Sequence, residues 1–183
     1  MKRKGVWISI LALVAFLAIA YAYLIYRGRT LSPPGTETLT SGGMTVTVSY
    51  SRPSVRGRVI FGDDSQNPLQ PYGKYWRLGA NESTEITFNR DVQFNGSPVK
   101  AGTYRMYAIP GADTFEIRLN SALGVWGAWE PDYALDILST KVPVEKTNSP
   151  VEQYTISLAP EGEGIAVIFE WANTRFVVPL KPQ

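Results

Sequence analysis

From Met44 to the C-terminus apolar residues recur at every second position, a period that suits β-strands and excludes amphipathic helices. Met44, Val46, Val48 and Tyr50 alternate with Thr45, Thr47 and Ser49. Ile86 and Phe88 alternate with Glu85 and Thr87, and Phe115, Ile117 and Leu119 with Glu116, Arg118 and Asn120. Tyr154, Ile156 and Leu158 continue the pattern, followed by Ile165, Val167, Phe169 and Trp171, then Phe176, Val178 and Leu180. Successive side chains on a strand point to opposite faces, so each run has one apolar and one wet face. Asn95-Gly96, Pro110-Gly111, Glu161-Gly162-Glu163-Gly164 and Ala172-Asn173 supply turn chemistry between the runs. Residues 92–94 and 102–109 read as neighbouring strands joined through 95–101. Residues 136–144 read as a strand that Pro143 marks as an edge. One short helix is allowed near residues 128–135. The pattern predicts eight to ten strands in one all-β domain over residues 44–183. The expected form is a single antiparallel β-sandwich, jelly-roll-like.

An uncharged run starts at Val6 and reaches Tyr26, long enough as a helix to span a hydrocarbon core of roughly 30 Å. Trp7 stands near one end and Tyr21, Tyr23 and Tyr26 near the other, where interfacial aromatics belong. Lys2, Arg3, Lys4 and the amino terminus outweigh Arg27 and Arg29, which directs the N-terminus to the cytoplasm and the domain outside. Residues 1–29 therefore read as a transmembrane helix that anchors the domain at the periplasmic or extracellular face, with the lipid bilayer as partner. The small-x-small triplets Ala18-Ile19-Ala20 and Ala20-Tyr21-Ala22 leave open a cleaved signal and a secreted domain. Residues 30–43, with Ser32-Pro33-Pro34-Gly35 at their start, read as a Pro/Gly/Thr-rich tether.

Charge and composition narrow the chemistry. Five of the 18 basic residues lie in the first 30 positions, which hold no acid, so the remainder carries 13 basic against 16 acidic residues. The folded part is mildly acidic and offers no electrostatic case for nucleic acid. The chain has no Cys and no His. That removes disulfides, thiolate nucleophiles, the Ser-His-Asp triad and most zinc and transition-metal sites. The oxygen-rich Asp63-Asp64-Ser65-Gln66-Asn67 lacks the spacing of a calcium loop and reads as a solvated turn. No metal and no cofactor is expected.

Residues 50–85 break the alternation and concentrate Arg, Gly and aromatics. Tyr50-Ser51-Arg52-Pro53-Ser54, Gly57-Arg58, Phe61-Gly62, Pro71-Tyr72-Gly73, Trp76-Arg77 and Gly79-Ala80-Asn81-Glu82 occur in that order. Ala101-Gly102-Thr103-Tyr104, Trp126-Gly127, Glu145-Lys146-Thr147 and Phe169-Glu170-Trp171 with Arg175 follow. In these ordered motifs the chain resembles a bacterial family known only as domain of unknown function 2911, over nearly all of residues 33–183. The segment Asp64 to Gln70 looks like an insertion relative to that pattern. The resemblance implies an exported bacterial protein with a β-rich domain. It implies no activity and carries no functional residues over.

The candidate ligand-binding residues are Arg52, Arg58, Trp76, Arg77, Asn81, Glu82, Trp126 and Trp129. Arg52, Arg56, Arg58 and Arg77 would form an anion site if they converged, because guanidinium forks match carboxylate, sulfate or phosphate. The near balance of charges in this stretch favours the other reading, pairing with Asp63, Asp64, Glu82 and Glu85. Trp76, Tyr72, Tyr75, Trp126 and Trp129 would suit a sugar or peptide platform or, alternatively, core and loop packing. Trp126-Gly127-Ala128-Trp129 is the run expected to display a ring. Glu82 would serve a carboxylate-dependent hydrolase only with a second acid nearby; its alternative is a salt bridge to Arg77 or Arg58. No catalytic residue is assigned. The expectation is a binding or interaction module for a glycan or anionic ligand, with an envelope scaffold or a Glu82 hydrolase as alternatives.

Overall fold

The computed structural model describes residues 2–183. A single long helix, α1 (Lys2–Leu31), precedes twelve strands among the described residues. Within it, the segment Val6–Leu31 contains an 18-residue window of mean hydropathy 2.5, none of it buried against the domain. This helix is long and apolar enough to cross a membrane. It ends where Pro33 and Pro34 cannot continue it, and Ser32, preceding a proline, is pushed out of the helical region.

The strands are β1 (Pro34–Ser41), β2 (Met44–Ser51), β3 (Phe61–Gly62), β4 (Gln70–Pro71), β5 (Thr84–Phe88) and β6 (Val92–Phe94). They continue as β7 (Ser97–Val99), β8 (Gly102–Ile109), β9 (Thr114–Asn120), β10 (Asp136–Pro143), β11 (Glu145–Glu161) and β12 (Gly164–Pro182). One antiparallel sheet has the order β1-β2-β5-β8-β9-β10 and the other β11-β12-β6-β7. The chain crosses between them after β5, β7 and β10, and a short parallel pair, β3–β4, lies apart from both. Met44, Val46, Val48, Ile86, Phe88, Phe115, Ile117 and Leu119 of the first sheet are buried. Tyr154, Ile156, Val167, Phe169, Trp171, Phe176 and Val178 of the second are buried with them. The fold is the antiparallel sandwich that the alternation demands.

Three expectations are corrected and one is narrowed. Residues 34–41 are not tether: β1 pairs with β2 from Pro34↔Ser51 to Ser41↔Met44. Gly42 and Gly43, both at positive φ, form the two-residue turn that matches strand twist. β1 is an edge strand whose polar face pairs Thr38 and Thr40 with Thr47 and Thr45 through hydroxyls 3.0 and 2.9 Å apart. Residues 92–94 and 102–109 are not neighbours. The Asn95-Gly96 turn closes a local hairpin of β6 with β7, and β8 joins the other sheet. The helix allowed near 128–135 is a 3₁₀ turn, Tyr133–Leu135, capped by the Asp132 carboxylate accepting from the Ala134 N–H. Finally, Trp76 is not a surface ring. At 1 % exposed it stacks on Trp171 with centroids 5.9 Å apart and meets Tyr154 edge-on at 5.2 Å. Its main chain exchanges two hydrogen bonds with Ala108, of 2.8 and 2.9 Å, which sets the ring inside the sandwich.

Candidate functional site

The C-terminal end of α1 is docked onto the domain. The Asn81 amide donates to the carbonyls of Gly28 and Ser32, at 3.3 and 3.1 Å. Arg56 Nη2 donates to the Leu31 carbonyl at 3.0 Å, and the Arg52 N–H to that of Pro33 at 2.9 Å. Arg29 closes an ion pair with Glu82 at 2.6 Å. Asn81 reaches two carbonyls because its backbone adopts φ of 57°, a left-handed conformation that Asn tolerates better than most residues.

Between the helix end and the sandwich lies a cleft of about 290 Å³, walled by Leu31, Ser32, Arg56, Arg58, Arg77, Asn81 and Trp126, with Trp171 contributing from the core. Arg56 and Gly57, both at positive φ, turn the chain after β2 so that Arg56 and Arg58 reach the same opening. Arg58 Nε and Nη2 donate to the carbonyls of Val55 and Ser54, at 3.0 and 2.6 Å. Arg77 Nη1 donates to the Asn81 carbonyl at 3.4 Å. Gly127 makes that crossing possible: a Cβ there would stand 2.8 Å from Arg77 Cδ and 3.0 Å from the carbonyls of Asn81 and Glu82.

Among the described residues no Asp or Glu side chain lines this cleft, and no ion pair involves Arg52, Arg56, Arg58 or Arg77. The expected pairing with nearby acids does not form. Asp64 takes Lys74, Glu82 takes Arg29, and Glu85 accepts the Gly124 N–H. Backbone carbonyls hold the three guanidinium groups in place, and Glu152, which accepts from the Arg56 backbone N–H at 2.9 Å, pairs with none of them. Each group has five N–H donors, most of them uncommitted. Burial lowers the Arg77 guanidinium from its ordinary value; Tyr75 opposes this and the neighbouring Arg105 charge adds to it. Arginine nevertheless stays protonated, so a partly desolvated cation faces the cleft.

Of the eight candidates, Arg58, Arg77, Asn81 and Trp126 converge here. Arg52 instead straps the two sheets, with Nη2 donating to Thr155 Oγ1 at 3.1 Å. Trp129, 69 % exposed, is the displayed ring of its run, and its carbonyl accepts from Arg105 at 2.7 Å. Glu82 lines a neighbouring cleft of about 330 Å³ together with Glu85. Burial pushes the Glu82 carboxyl up, but hydrogen bonds from Arg29 and its own N–H, with the Arg29 charge, hold it below the usual carboxylate range. A general acid needs the opposite shift. Arg56 and Trp171 complete the site although neither was among the eight candidates. Arg56 was recognisable as a member of the arginine cluster, whereas Trp171 reads as an ordinary strand residue. The Trp171 indole N–H is buried with no hydrogen-bond partner, as are those of Trp76 and the Tyr154 hydroxyl. Unpartnered donors are uncommon in protein interiors.

The Arg29–Glu82 pair gives a pH prediction. A carboxyl held low in the folded state contributes above its ordinary pKa and loses that contribution as pH falls through the folded value. Glu82→Gln is expected to lower the melting temperature at neutral pH, and the deficit to shrink as pH falls below the ordinary carboxylate range. An equal deficit at neutral and low pH would show that the pair does not fasten the helix.

A family model described as "Protein of unknown function (DUF2911)" matches residues 32–180, a span that contains every side chain of the cleft except Leu31. No curated protein and no solved structure matches the chain.

Proposed function

We propose, for a chain that belongs to the family described as protein of unknown function DUF2911, that the sandwich is a membrane-anchored binding module whose basic cleft takes an anionic group. The observation that carries this reading is the convergence of Arg56, Arg58 and Arg77 on one cleft with no ion pair to any of their guanidinium groups among the described residues; Glu152 accepts from the Arg56 backbone N–H, at 2.9 Å, rather than from a guanidinium. Clustered guanidinium groups whose N–H donors are mostly uncommitted favour an anion that completes their hydrogen bonds. α1 is the anchor, with Lys2, Arg3 and Lys4 on the cytoplasmic side and the domain outside the cytoplasm. An anion fits better than a glycan because Trp76, one of the five rings of the expected aromatic platform, is committed to the core, while arginines dominate the polar lining of the cleft.

Calorimetric titration of the full chain in neutral detergent with inorganic phosphate tests the reading. Wild type is expected to bind, and Arg58→Gln with Arg77→Gln to weaken binding at least about tenfold, the loss of roughly one charge-assisted contact. Added salt is expected to weaken it further. Absence of binding by wild type, or equal binding by the double variant, removes the proposal.

A further inference from the structure

We infer that the anion is the phosphate of a phospholipid headgroup in the bilayer that α1 spans, so that the domain grips the membrane surface as well as being tethered to it. This rests on the anion-binding reading above and on α1 as the anchor; what it adds is the source of the anion.

The depth of the cleft carries the argument. The uncharged run of α1 ends at Tyr26, and the helix continues to Leu31, a wall of the cleft. Five residues at about 1.5 Å each put Leu31 roughly 7.5 Å beyond the apolar boundary. The headgroup layer on each side of a roughly 30 Å core is about 5–7 Å thick. Leu31 therefore stands at the outer edge of the headgroup layer, and the cleft it walls opens at that edge, within a side chain's length of the lipid phosphates.

The domain has little freedom to leave that level. Only Ser32 and Pro33 separate α1 from β1. The bonds from Asn81 to Gly28 and Ser32, and from Arg56 to Leu31, fasten the helix end to the same loops that wall the cleft. The face that carries the cleft is thus held against the bilayer.

That face has the composition of a headgroup contact. Arg27 lies beyond the apolar run, and Arg56, Arg58 and Arg77 surround the opening. The cleft edge is also apolar: Leu69 lines it, Val59 accepts the Leu69 N–H through its carbonyl, and both side chains are exposed. Exposed aliphatic residues beside arginines suit a surface where acyl chains begin below a layer of phosphates. A soluble phosphate would use the arginines equally well but gives no reason for the apolar rim or for the depth.

Native mass spectrometry of the full chain, released from neutral detergent, distinguishes the sources. Three probes are compared: phosphatidylglycerol, diacylglycerol with the same chains, and inorganic phosphate. Wild type is expected to retain phosphatidylglycerol at least about tenfold more than diacylglycerol, and Arg58→Gln with Arg77→Gln to lose that preference. Arg58→Lys with Arg77→Lys, which keeps both charges, is expected to retain part of it. Arg90→Gln, which removes one arginine away from the cleft, is expected to behave as wild type. Equal retention of diacylglycerol, or full retention by the double glutamine variant, overturns the inference. Binding of inorganic phosphate without preferential lipid retention overturns the lipid source alone and leaves the anion-binding reading standing.

Discussion

Trp76→Ala is expected to cost about 3–5 kcal/mol of unfolding free energy, the range for deleting a large aromatic side chain from a packed core. The ring stands at the junction of four others. It stacks on Trp171 and meets Phe61, Phe115 and Tyr154 edge-on, with centroids 5.0 to 6.3 Å away. Tyr50 reaches the same group through Tyr154 at 5.7 Å. Removing the indole leaves a cavity between two sheets whose backbones are fixed by their ladders, so the site has little room to collapse. Trp76→Phe is expected to lose only about 1–2 kcal/mol. It keeps an aromatic ring in the stack, and the indole N–H has no hydrogen bond to lose. Denaturant unfolding followed by near-ultraviolet circular dichroism measures both. A loss below about 1 kcal/mol for the alanine variant would place Trp76 outside the core.

Asp136→Ala is expected to be nearly as damaging, at about 3–5 kcal/mol, because it strips one carboxylate from three buried or half-buried donors. Tyr107 Oη donates to it at 2.7–2.8 Å, Asn120 Nδ2 at 2.8 Å and Arg118 Nη1 at 3.0 Å. Tyr107 and Asn120 are fully buried. Burial, reinforced by the hydrogen bond to Asp136, raises the Tyr107 phenol well above its ordinary value and keeps it protonated as a donor. Asp136→Asn keeps one acceptor and is expected to cost about half as much. By contrast, Lys74→Ala, which breaks the exposed pair with Asp64, is expected to leave the unfolding transition unchanged. A small effect at Asp136 would mean that water replaces the carboxylate for all three donors. The same cluster predicts acid sensitivity. The Ser139 hydroxyl, opposed by burial and helped by Arg118, holds the Glu116 carboxyl below its usual range. Its contribution is present above the ordinary carboxylate pKa of about 4 and declines as pH falls further.

Some of the site was legible before the fold was known. Arg58, Arg77, Asn81 and Trp126 stand in the irregular, arginine-rich segments, and loops on a rigid sandwich are where such residues meet. Trp76 sits in the same stretch and was read with them. Local sequence does not distinguish an inward from an outward ring where alternation has stopped, and the bridge to Ala108 made the choice. Arg52 and Arg58 were equivalent as residue types. They part because Arg52 follows β2 directly and faces Thr155 across the sheets, whereas Arg58 lies past the reversal at Arg56-Gly57. β1 escaped notice because its only large apolar side chain is Leu39. An edge strand with a threonine outer face carries too little burial to show a period.

The chain by itself determined that most of it is an antiparallel sandwich preceded by an apolar helix. Period-two burial and a long uncharged run are local properties, and each enforces its element wherever it occurs. Only the tertiary structure decided that the arginines do not pair with the acids beside them in sequence. The turn at Arg56-Gly57 and the close crossing at Gly127 carry them to the helix end, while Arg29 and Lys74 occupy Glu82 and Asp64. Charge pairing depends on distances of a few ångströms between distant segments, and the packing of the sandwich sets those distances.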